Sequence, residues 1–216
     1  MLKVYGLKIS NHSAMVRFAL MEKKIDYEWK ETFPYSMSGD KSILNRSAQG
    51  AVPILECDGQ FYSETQAIMS FIEKKYPDNS LISSNPAQYA RTIEIIKIFE
   101  LYVEYQARHF YPSVFFGAEQ ILDNSEEIKT KISRGLNIIE QKSTFSPYIL
   151  GDFSYADIYA SLVLSTTYEV CQKIYNWDIF IDYKKLAEVF KAINSRETAK
   201  IIYDDIAKGM EALKKS

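Results

Sequence analysis

Apolar and polar residues alternate in two short stretches near the start of the chain, residues 2–5 and residues 25–30. An alternation of period two is typical of a β-strand with one buried face. Between these stretches, residues 13–24 carry apolar residues at helical spacing and end in two lysines, where cations suit the negative end of the helix dipole. The pattern therefore predicts a strand, a helix and a second strand.

A hairpin is predicted from Pro53 onwards. Proline cannot donate to a sheet ladder, so Pro53 must lie at the start of a strand or on an edge. Asp58 and Gly59 end the apolar run that follows, and both accept the positive φ of a tight hairpin turn. Phe61 and Tyr62 then supply the second strand of the pair.

Helical patterns lie on both sides of this hairpin. Residues 40–45 predict one or two helical turns before it. Residues 64–76 predict a longer helix after it, with Ser63 and Gln66 spaced as a capping box. The resulting order, β-α-β-α-β-β-α, packs naturally as a short sheet with helices on its faces, and it matches the thioredoxin-like fold.

Only helical patterns follow the polar residues 79–85, which are typical of a linker. Helices are predicted over residues 87–117, 126–143, 158–168, 184–194 and 199–213. Pro112 is expected to kink or break the first of them, because proline lacks the N–H that a helix interior needs. The sequence therefore predicts an α/β domain over residues 1–78, the linker, and an all-helical domain over residues 86–216.

Composition and charge exclude several classes of function. Of the 216 residues, 47% are hydrophobic and 25% are charged, and the net charge is −2, so neither a nucleic acid nor an anionic membrane surface is an expected partner. Cys57 and Cys171 lie far apart without metal or redox spacing, so no metal is expected. No apolar run is long enough for a membrane span, and a cytoplasmic protein is expected.

The stretch around Pro53 resembles the glutathione-binding half of the cytosolic glutathione S-transferases. In that family Val-Pro heads a strand, a hairpin follows, and an acid with Ser or Thr starts a helix, here Glu64 and Thr65. The resemblance implies a cis bond between Val52 and Pro53, and a Val52 backbone that pairs with the cysteinyl part of glutathione. It also implies that Thr65 holds the γ-glutamyl carboxylate and that Glu64 faces the γ-glutamyl ammonium.

A second segment is similar to the Ser-x-x-Ser-x-x-Val-Arg-x-Ala-Leu stretch of the serine-type transferases, which include zeta-, tau- and beta-like members. With Val16 and Arg17 aligned, Ser10 falls on the catalytic serine of that family. Glutathione attacks electrophiles as a thiolate, yet a free thiol has a pKa of about 8.5 and is only slightly ionised at neutral pH. A hydroxyl that donates to the sulfur at a helix N-terminus stabilises the anion, so the resemblance implies that Ser10 is a donor and not a nucleophile.

Four other residues are candidates for the hydrogen bond to the sulfur, for the start of the first helix or for contact with glutathione. Ser13 is predicted as the N-cap of the first helix, a common role for serine. Asn11 and His12 lie in the same loop and are minor candidates for contact with glutathione. Tyr5 is an alternative donor, because other transferase classes use a tyrosine on the first strand, but its spacing to the matched arginine differs by one residue.

The sequence departs from the family pattern at Ala51 and matches it in a third segment. Ala51 stands where the family usually carries Lys, Gln or Arg, so Lys41 or Gln49 is expected to substitute in binding the glycyl carboxylate. A Gly-x-x-Ser-x-Ala-Asp segment is similar to a structural signature of the family's helical domain, and its Ser154 and Asp157 are spaced as a reciprocal helix cap. The acceptor pocket is expected between the domains, lined by Tyr105, Arg108, His109 and Tyr111.

The chain is therefore expected to be a homodimeric glutathione S-transferase that uses glutathione as co-substrate against a small electrophile, as in detoxification. Two alternatives stay open. Ala51 favours a non-catalytic family member like the stringent-starvation-type regulatory proteins, whereas Ser10, Glu64 and Thr65 disfavour it. A glutathione-dependent isomerase of the zeta type fits Ser10, but the chain lacks the fuller active-site motif of that class.

Overall fold

The structure of the chain is a computed structural model that describes residues 1–119 and 123–214. Two short parts of the predicted helical domain, residues 120–122 and 215–216, lie outside the described residues. Within the described ranges, none of the helices combines the length and the apolar composition that crossing a membrane requires.

The chain forms two compact units. The first unit contains residues 1–81 together with residues 196–216, and the second contains residues 82–195. The sequence prediction assigns residues 86–216 to one helical domain, and the structure differs from it in the last helix, which is grouped with the first unit. The reason is a set of contacts between that helix and the first helix of the chain, which hydrophobic periodicity does not reveal.

A four-stranded sheet is the centre of the first unit. Its strands are β1 (Leu2–Gly6), β2 (Tyr27–Glu31), β3 (Ile54–Cys57) and β4 (Gln60–Ser63), in the spatial order β2-β1-β3-β4. Strands β1 and β2 are parallel, whereas β3 is antiparallel to both of its neighbours. The helices of this region are α1 (Asn11–Glu22), α2 (Tyr35–Ser38) and α3 (Thr65–Lys75), with a 3-10 helix at Lys41–Asn45. The predicted β-α-β-α-β-β-α order and the thioredoxin-like arrangement are confirmed.

One face of the sheet packs on α1 and α3. Successive side chains of a strand point to opposite faces, so alternate residues of β1 and β3 enter this core. The core residues are Leu2, Val4, Val16, Leu20, Leu55, Cys57, Ile68 and Ile72. The alternation seen in the sequence of β1 therefore reflects burial of one strand face, and Cys57 serves as a small apolar core residue.

The hairpin between β3 and β4 forms where the sequence predicts it. Asp58 and Gly59 have φ values of 52° and 77°, as a primed two-residue turn requires. Pro53 directly precedes β3, so its missing N–H costs the sheet no hydrogen bond. The peptide bond between Val52 and Pro53 is cis, as the resemblance implies.

Two of the predicted helix caps are wrong. The N-cap of α1 is Ser10, whose Oγ accepts a hydrogen bond from the backbone N–H of Ser13 at 3.3 Å, and Ser13 itself is buried within the helix. The N-cap position of α3 is Glu64, which has a φ of 69°. Because the chain turns through this positive φ before Thr65, Ser63 ends β4 and does not form the predicted capping box.

The last helix, α11 (Glu197–Leu213), packs on α1 within the first unit. Its Asp205 forms an ion pair with Arg17, a buried residue of α1. The Arg17 guanidinium also lies 5.0 Å from the centre of the Trp29 ring, where a cation is attracted to the aromatic face. Arg17, matched to the family on sequence, thus joins the first helix to the last.

The second unit is built of helices. They are α4 (Pro86–Ile98), α5 (Tyr105–Arg108), α6 (Tyr111–Phe116), α7 (Ser125–Lys142), α8 (Tyr155–Tyr175), α9 (Ile179–Asp182) and α10 (Lys184–Asn194). The predicted bounds of α10 are confirmed, and those of α7 differ by one residue at each end. Residues 158–168 of α8 carry no charged side chain, and most of them are buried.

The single long helix predicted over residues 87–117 is wrong. A π-helical segment, Phe99–Glu104, follows α4, and the chain turns at His109 and Phe110 before α6 starts. The break therefore precedes Pro112, which lies in the first turn of α6, where a missing N–H has no helical partner to lose. Hydrophobic periodicity did not separate these segments, because each of them continues the apolar pattern of the one before.

The predicted cap at the start of α8 is confirmed. Asp157 accepts hydrogen bonds from the backbone N–H groups of Ser154 and Ile149, both at 2.9 Å. The Ser154 hydroxyl donates to the same carboxylate at 3.0 Å. Asp157 is fully buried, so this carboxylate ties the preceding loop to the start of the central helix of the second unit.

We expect Asp205→Ala to lower the free energy of unfolding by about 3 kcal/mol, because it leaves the buried Arg17 charge without its counter-ion. The matched control is Asp204→Ala, which removes an exposed carboxylate paired with Lys208 and should cost less than about 1 kcal/mol. Chemical denaturation monitored by circular dichroism measures both values. Equal losses from the two substitutions would contradict the anchoring role of Asp205.

Burial raises the pKa of Asp157 to about 6, against the pull of its hydrogen bonds from Ile149 and Ser154. An acid whose pKa is raised in the folded state contributes stability that is present below its unfolded pKa and lost as pH rises through the folded pKa. The difference in unfolding free energy between the wild type and Asp157→Asn should therefore fall by about 2 kcal/mol between pH 4 and pH 7. Denaturation series at each pH measure this difference. A difference that stays constant or grows over this range would refute the raised pKa of Asp157.

Candidate functional site

Ser10, which the resemblance implies as a thiolate donor, is the N-cap residue of the first helix. It lies between β1 and α1, at the N-terminal end of α1, where the helix dipole favours negative charge. Its backbone N–H donates to the carbonyl of Leu7 at 2.9 Å, which fixes the loop. Because its Oγ accepts from the N–H of Ser13, the hydroxyl proton is available to donate to a ligand.

Gly6 permits the close packing at the base of this loop. A Cβ atom at Gly6 would lie 2.7 Å from both Ser13 Oγ and Trp29 Cη2, which is closer than van der Waals contact allows. Sequence reasoning assigned no role to Gly6, although a glycine at a strand end is a known signal of close approach.

Tyr5, the alternative donor, is engaged elsewhere. Its hydroxyl donates to Glu56 Oε2 at 2.5 Å, and the same carboxylate pairs with Lys3 at 2.7 Å. The hydrogen bond to Glu56 raises the pKa of Tyr5. Arg46 lies 5.0 Å from the centre of the Tyr5 ring. The Tyr5 proton is therefore held by a sheet carboxylate, which makes it a poorer donor to a ligand than Ser10.

Val52 presents a free backbone edge. The ladder between β1 and β3 extends only to Ile54, which pairs with Tyr5, and the buried Pro53 directly precedes it. Within residues 1–119 and 123–214, the backbone groups of Val52 have no hydrogen-bond partner, although the residue is half-buried. Such groups can pair with an extended peptide laid along this edge.

Glu64 and Thr65 form the start of α3. Glu64 is exposed and has φ 69° and ψ 120°, a backbone conformation that is sparsely populated for a residue with a side chain. Conformations of this kind concentrate at binding sites. Thr65 is only 4% exposed, and the first N–H groups of α3 make this helix end suited to a carboxylate.

A direct contact joins the two helix starts. The Nδ1 atom of His12 lies 2.8 Å from Oγ1 of Thr65. The sequence predicted that both residues belong to a glutathione site but gave no sign of a contact between them, since 53 positions separate them. Asn11, the other minor candidate, is buried in the first turn of α1.

Lys41 and Gln49 lie on the surface on either side of the buried Ile43 and Ser47. Lys41 is the first residue of the 3-10 helix, and Gln49 belongs to the turn that Gly50 closes with its N–H on the carbonyl of Ser47. Both side chains are exposed, and their role in binding the glycyl carboxylate stays a prediction.

The residues predicted for the acceptor pocket are largely paired within the second unit. Arg108 donates to Glu104 at 2.5 Å. The hydroxyl of Tyr111 donates to Oγ1 of Thr166 at 2.8 Å, and burial raises the pKa of Tyr111. Tyr105 is exposed, and its ring packs edge-on against His109. Their role in binding an acceptor stays a prediction.

A cavity of about 360 Å³ lies in the first unit, and its lining includes residues 7–9, which directly precede Ser10 in the sequence. It is lined by Leu7, Lys8, Ile9, Glu31, Phe33, Lys208, Gly209, Ala212 and Leu213. The helix α11 approaches the loop closely at Gly209, where a Cβ atom would lie 2.9 Å from Ile9 Cγ2. Sequence reasoning missed this cavity, because its walls come from opposite ends of the chain.

The sequence of this chain is similar to those of known proteins. The family model of the glutathione S-transferase N-terminal domain matches residues 4–80. A glutathione S-transferase of Pseudomonas putida is 31% identical over 184 residues, which is 85% of this chain and 82% of that protein. A maleylacetoacetate isomerase of Pseudomonas aeruginosa is 33% identical over 97 residues, 42% of this chain and 44% of that protein.

The fold itself recurs in solved structures. Glutathione transferase E6 from Drosophila melanogaster superposes with a TM-score of 0.80 over 100% of this chain and 97% of that one. The sequences are only 19% identical, so this likeness concerns the fold. The similarity to the Pseudomonas putida protein and the superposition both extend beyond residues 4–80 into the helices that follow.

Proposed function

The chain belongs to the glutathione S-transferase family, and from this premise we propose that it binds glutathione and activates its thiolate for attack on a small electrophile. The observation that carries the proposal is the position of Ser10, whose hydroxyl caps α1 with its proton free to donate. The residues that the resemblance assigns to glutathione binding support the proposal, because each can form the hydrogen bond or ion pair that its part of the tripeptide needs.

We propose that glutathione lies extended along the edge at Val52. Its cysteinyl backbone would pair with the N–H and C=O of Val52, as an added strand pairs with a sheet edge. Its γ-glutamyl carboxylate would bind at the start of α3, to the Thr65 hydroxyl and backbone N–H. The exposed Glu64 carboxylate would face the γ-glutamyl ammonium.

Ser10 would then stabilise the thiolate in two ways. Its hydroxyl donates to the sulfur, and a hydrogen bond to a charged acceptor is stronger than one to a neutral thiol. The positive end of α1 adds a further preference for the anion. Each unit by which the thiol pKa falls corresponds to about 1.4 kcal/mol of preferential stabilisation of the thiolate.

We propose the cavity beside Ile9 as the acceptor site. Most of its lining is apolar, and its volume of about 360 Å³ is within the range of small-molecule pockets. Leu7, Lys8 and Ile9 of its lining belong to the loop that precedes Ser10, and this shared loop is the reason for the proposal. Tyr105, Arg108 and Tyr111 remain the alternative acceptor residues from the sequence.

The setting we propose is a cytoplasmic homodimer that acts in detoxification. Both cysteines, Cys57 and Cys171, are free and buried, as expected in a reducing compartment. Leu101, Tyr102 and Tyr105 are exposed on consecutive turns of the π-helical segment and α5, and exposed apolar side chains of this kind suit a partner subunit.

A glutathione-dependent isomerase is the second candidate, favoured by the similarity to the Pseudomonas aeruginosa isomerase. An isomerase adds glutathione and releases it again, so glutathione is not consumed, whereas a transferase consumes one glutathione for each product. Incubation with maleylacetoacetate and, separately, with a panel of small electrophiles, while free thiol is measured, distinguishes the two. Turnover without loss of thiol would favour the isomerase.

We expect Ser10→Ala to raise the pKa of the bound glutathione thiol and to lower kcat by about 10- to 100-fold, the loss of one hydrogen bond to a charged group. The dissociation constant of glutathione should change by less than about threefold, because Ser10 contacts only the sulfur. Thiolate absorbance across a pH titration and steady-state kinetics measure these quantities.

Ser70→Ala is the matched control, because it removes an exposed serine hydroxyl from α3 and should leave both quantities unchanged. Tyr5→Phe tests the competing assignment. If Tyr5→Phe raises the thiol pKa while Ser10→Ala does not, the donor is Tyr5 and the proposed role of Ser10 is wrong.

Ala212→Trp should fill much of the cavity beside Ile9 and raise the KM for a small apolar electrophile about tenfold or more, without changing glutathione binding. Ala212→Ser, which barely changes the volume, is the control. Arg108→Ala tests the other acceptor region. A raised electrophile KM in Arg108→Ala together with a normal value in Ala212→Trp would move the acceptor site to the residues predicted from the sequence.

A further inference from the structure

The contact between His12 and Thr65 gives His12 a specific task, which rests on the proposed binding of glutathione. We propose that His12 is a positioning residue: its Nδ1–H donates to Thr65 Oγ1 and so directs the Thr65 hydroxyl proton towards the γ-glutamyl carboxylate. His12 would then act through Thr65 without touching the ligand itself.

The direction of this hydrogen bond follows from the chemistry of the ligand. A hydroxyl has one proton to donate and can accept at its lone pairs, whereas an ionised carboxylate can only accept. If Thr65 gave its proton to His12, only lone pairs would face the carboxylate and would repel it. The hydroxyl can serve the ligand only when its oxygen accepts from His12 at the observed distance of 2.8 Å.

The surroundings of the pair favour a fixed geometry. Thr65 is 4% exposed, so few water molecules reach its hydroxyl to replace His12. His12 lies in the first turn of α1, so the helix backbone fixes the point from which its ring reaches Thr65. A neutral ring with its proton on Nδ1 is sufficient for the proposed role, so no imidazolium is needed.

The same contact could also serve only to hold α1 against α3. The two roles predict different outcomes for the ligand. A purely structural contact would affect every ligand of the site equally, whereas a positioning role affects only ligands that carry the γ-glutamyl carboxylate. His12→Asn is a conservative replacement, because the side-chain amide nitrogen of asparagine can donate from nearly the position of Nδ1.

The test is isothermal titration calorimetry with two ligands, glutathione and 4-aminobutyryl-cysteinyl-glycine, which lacks the γ-glutamyl carboxylate. We expect His12→Ala to weaken glutathione binding about fivefold and His12→Asn to restore it to within about twofold. Adding His12→Ala to Thr65→Val should weaken binding no further than Thr65→Val alone. Against the shortened ligand, His12→Ala should bind like the wild type.

Steady-state kinetics supply an independent readout, since His12→Ala should raise the KM for glutathione while kcat stays within about twofold. The positioning role is wrong if His12→Ala binds glutathione like the wild type, or if its penalty persists with the shortened ligand or in the Thr65→Val background. If His12→Ala does not fold, His12→Leu, which keeps side-chain bulk but has no N–H to donate, decides the question with the same two ligands. Failure of the wild type to bind glutathione at all would instead overturn the proposed function.

Discussion

The site depends on one constraint: the N-terminal ends of α1 and α3 meet in the first unit. The bond between His12 Nδ1 and Thr65 Oγ1 joins them directly. Each helix end has backbone N–H groups without helical partners and the positive end of a dipole, so the meeting point favours negative charge on a ligand. Glutathione offers two such charges, a thiolate and a γ-glutamyl carboxylate, and the proposed function assigns one to each helix.

The rest of the first unit holds these two helix ends in place. Gly6 allows β1 to pass closely beneath the start of α1. Arg17 and Asp205 connect α1 to α11, which comes from the far end of the chain. The ladder between β1 and β3 ends at Ile54, and among the described residues the backbone of Val52 has no hydrogen-bond partner. The position of Ser10 and of the groups around it therefore depends on residues from nearly the full length of the first unit.

Sequence reasoning succeeded where the causes are local. The hairpin at Asp58 and Gly59 and the cap formed by Asp157 each depend on a few neighbouring residues, and the structure has both. The strand and helix order of the first unit follows from apolar periodicity together with Pro53 and the turn at Asp58 and Gly59. The family resemblance added the cis bond at Pro53, which no local propensity would have favoured.

Prediction from the sequence failed where distant contacts or unusual backbone conformations determine the structure. The positive φ of Glu64 displaces the start of α3 and removes the cap expected at Ser63. The π-helical segment Phe99–Glu104 interrupts an apolar pattern that predicted one continuous helix. The contact of His12 with Thr65 and the docking of α11 join residues far apart in the sequence, and periodicity carries no information about such pairs.

The central claim is that Ser10 donates to the sulfur of a glutathione molecule extended along Val52. A crystal structure of the protein with glutathione tests it most directly. The account predicts the sulfur within about 3.5 Å of Ser10 Oγ and the cysteinyl backbone paired with the N–H and C=O of Val52. A sulfur placed beside Tyr5, or a glutathione molecule that leaves the Val52 backbone unpaired, would contradict it.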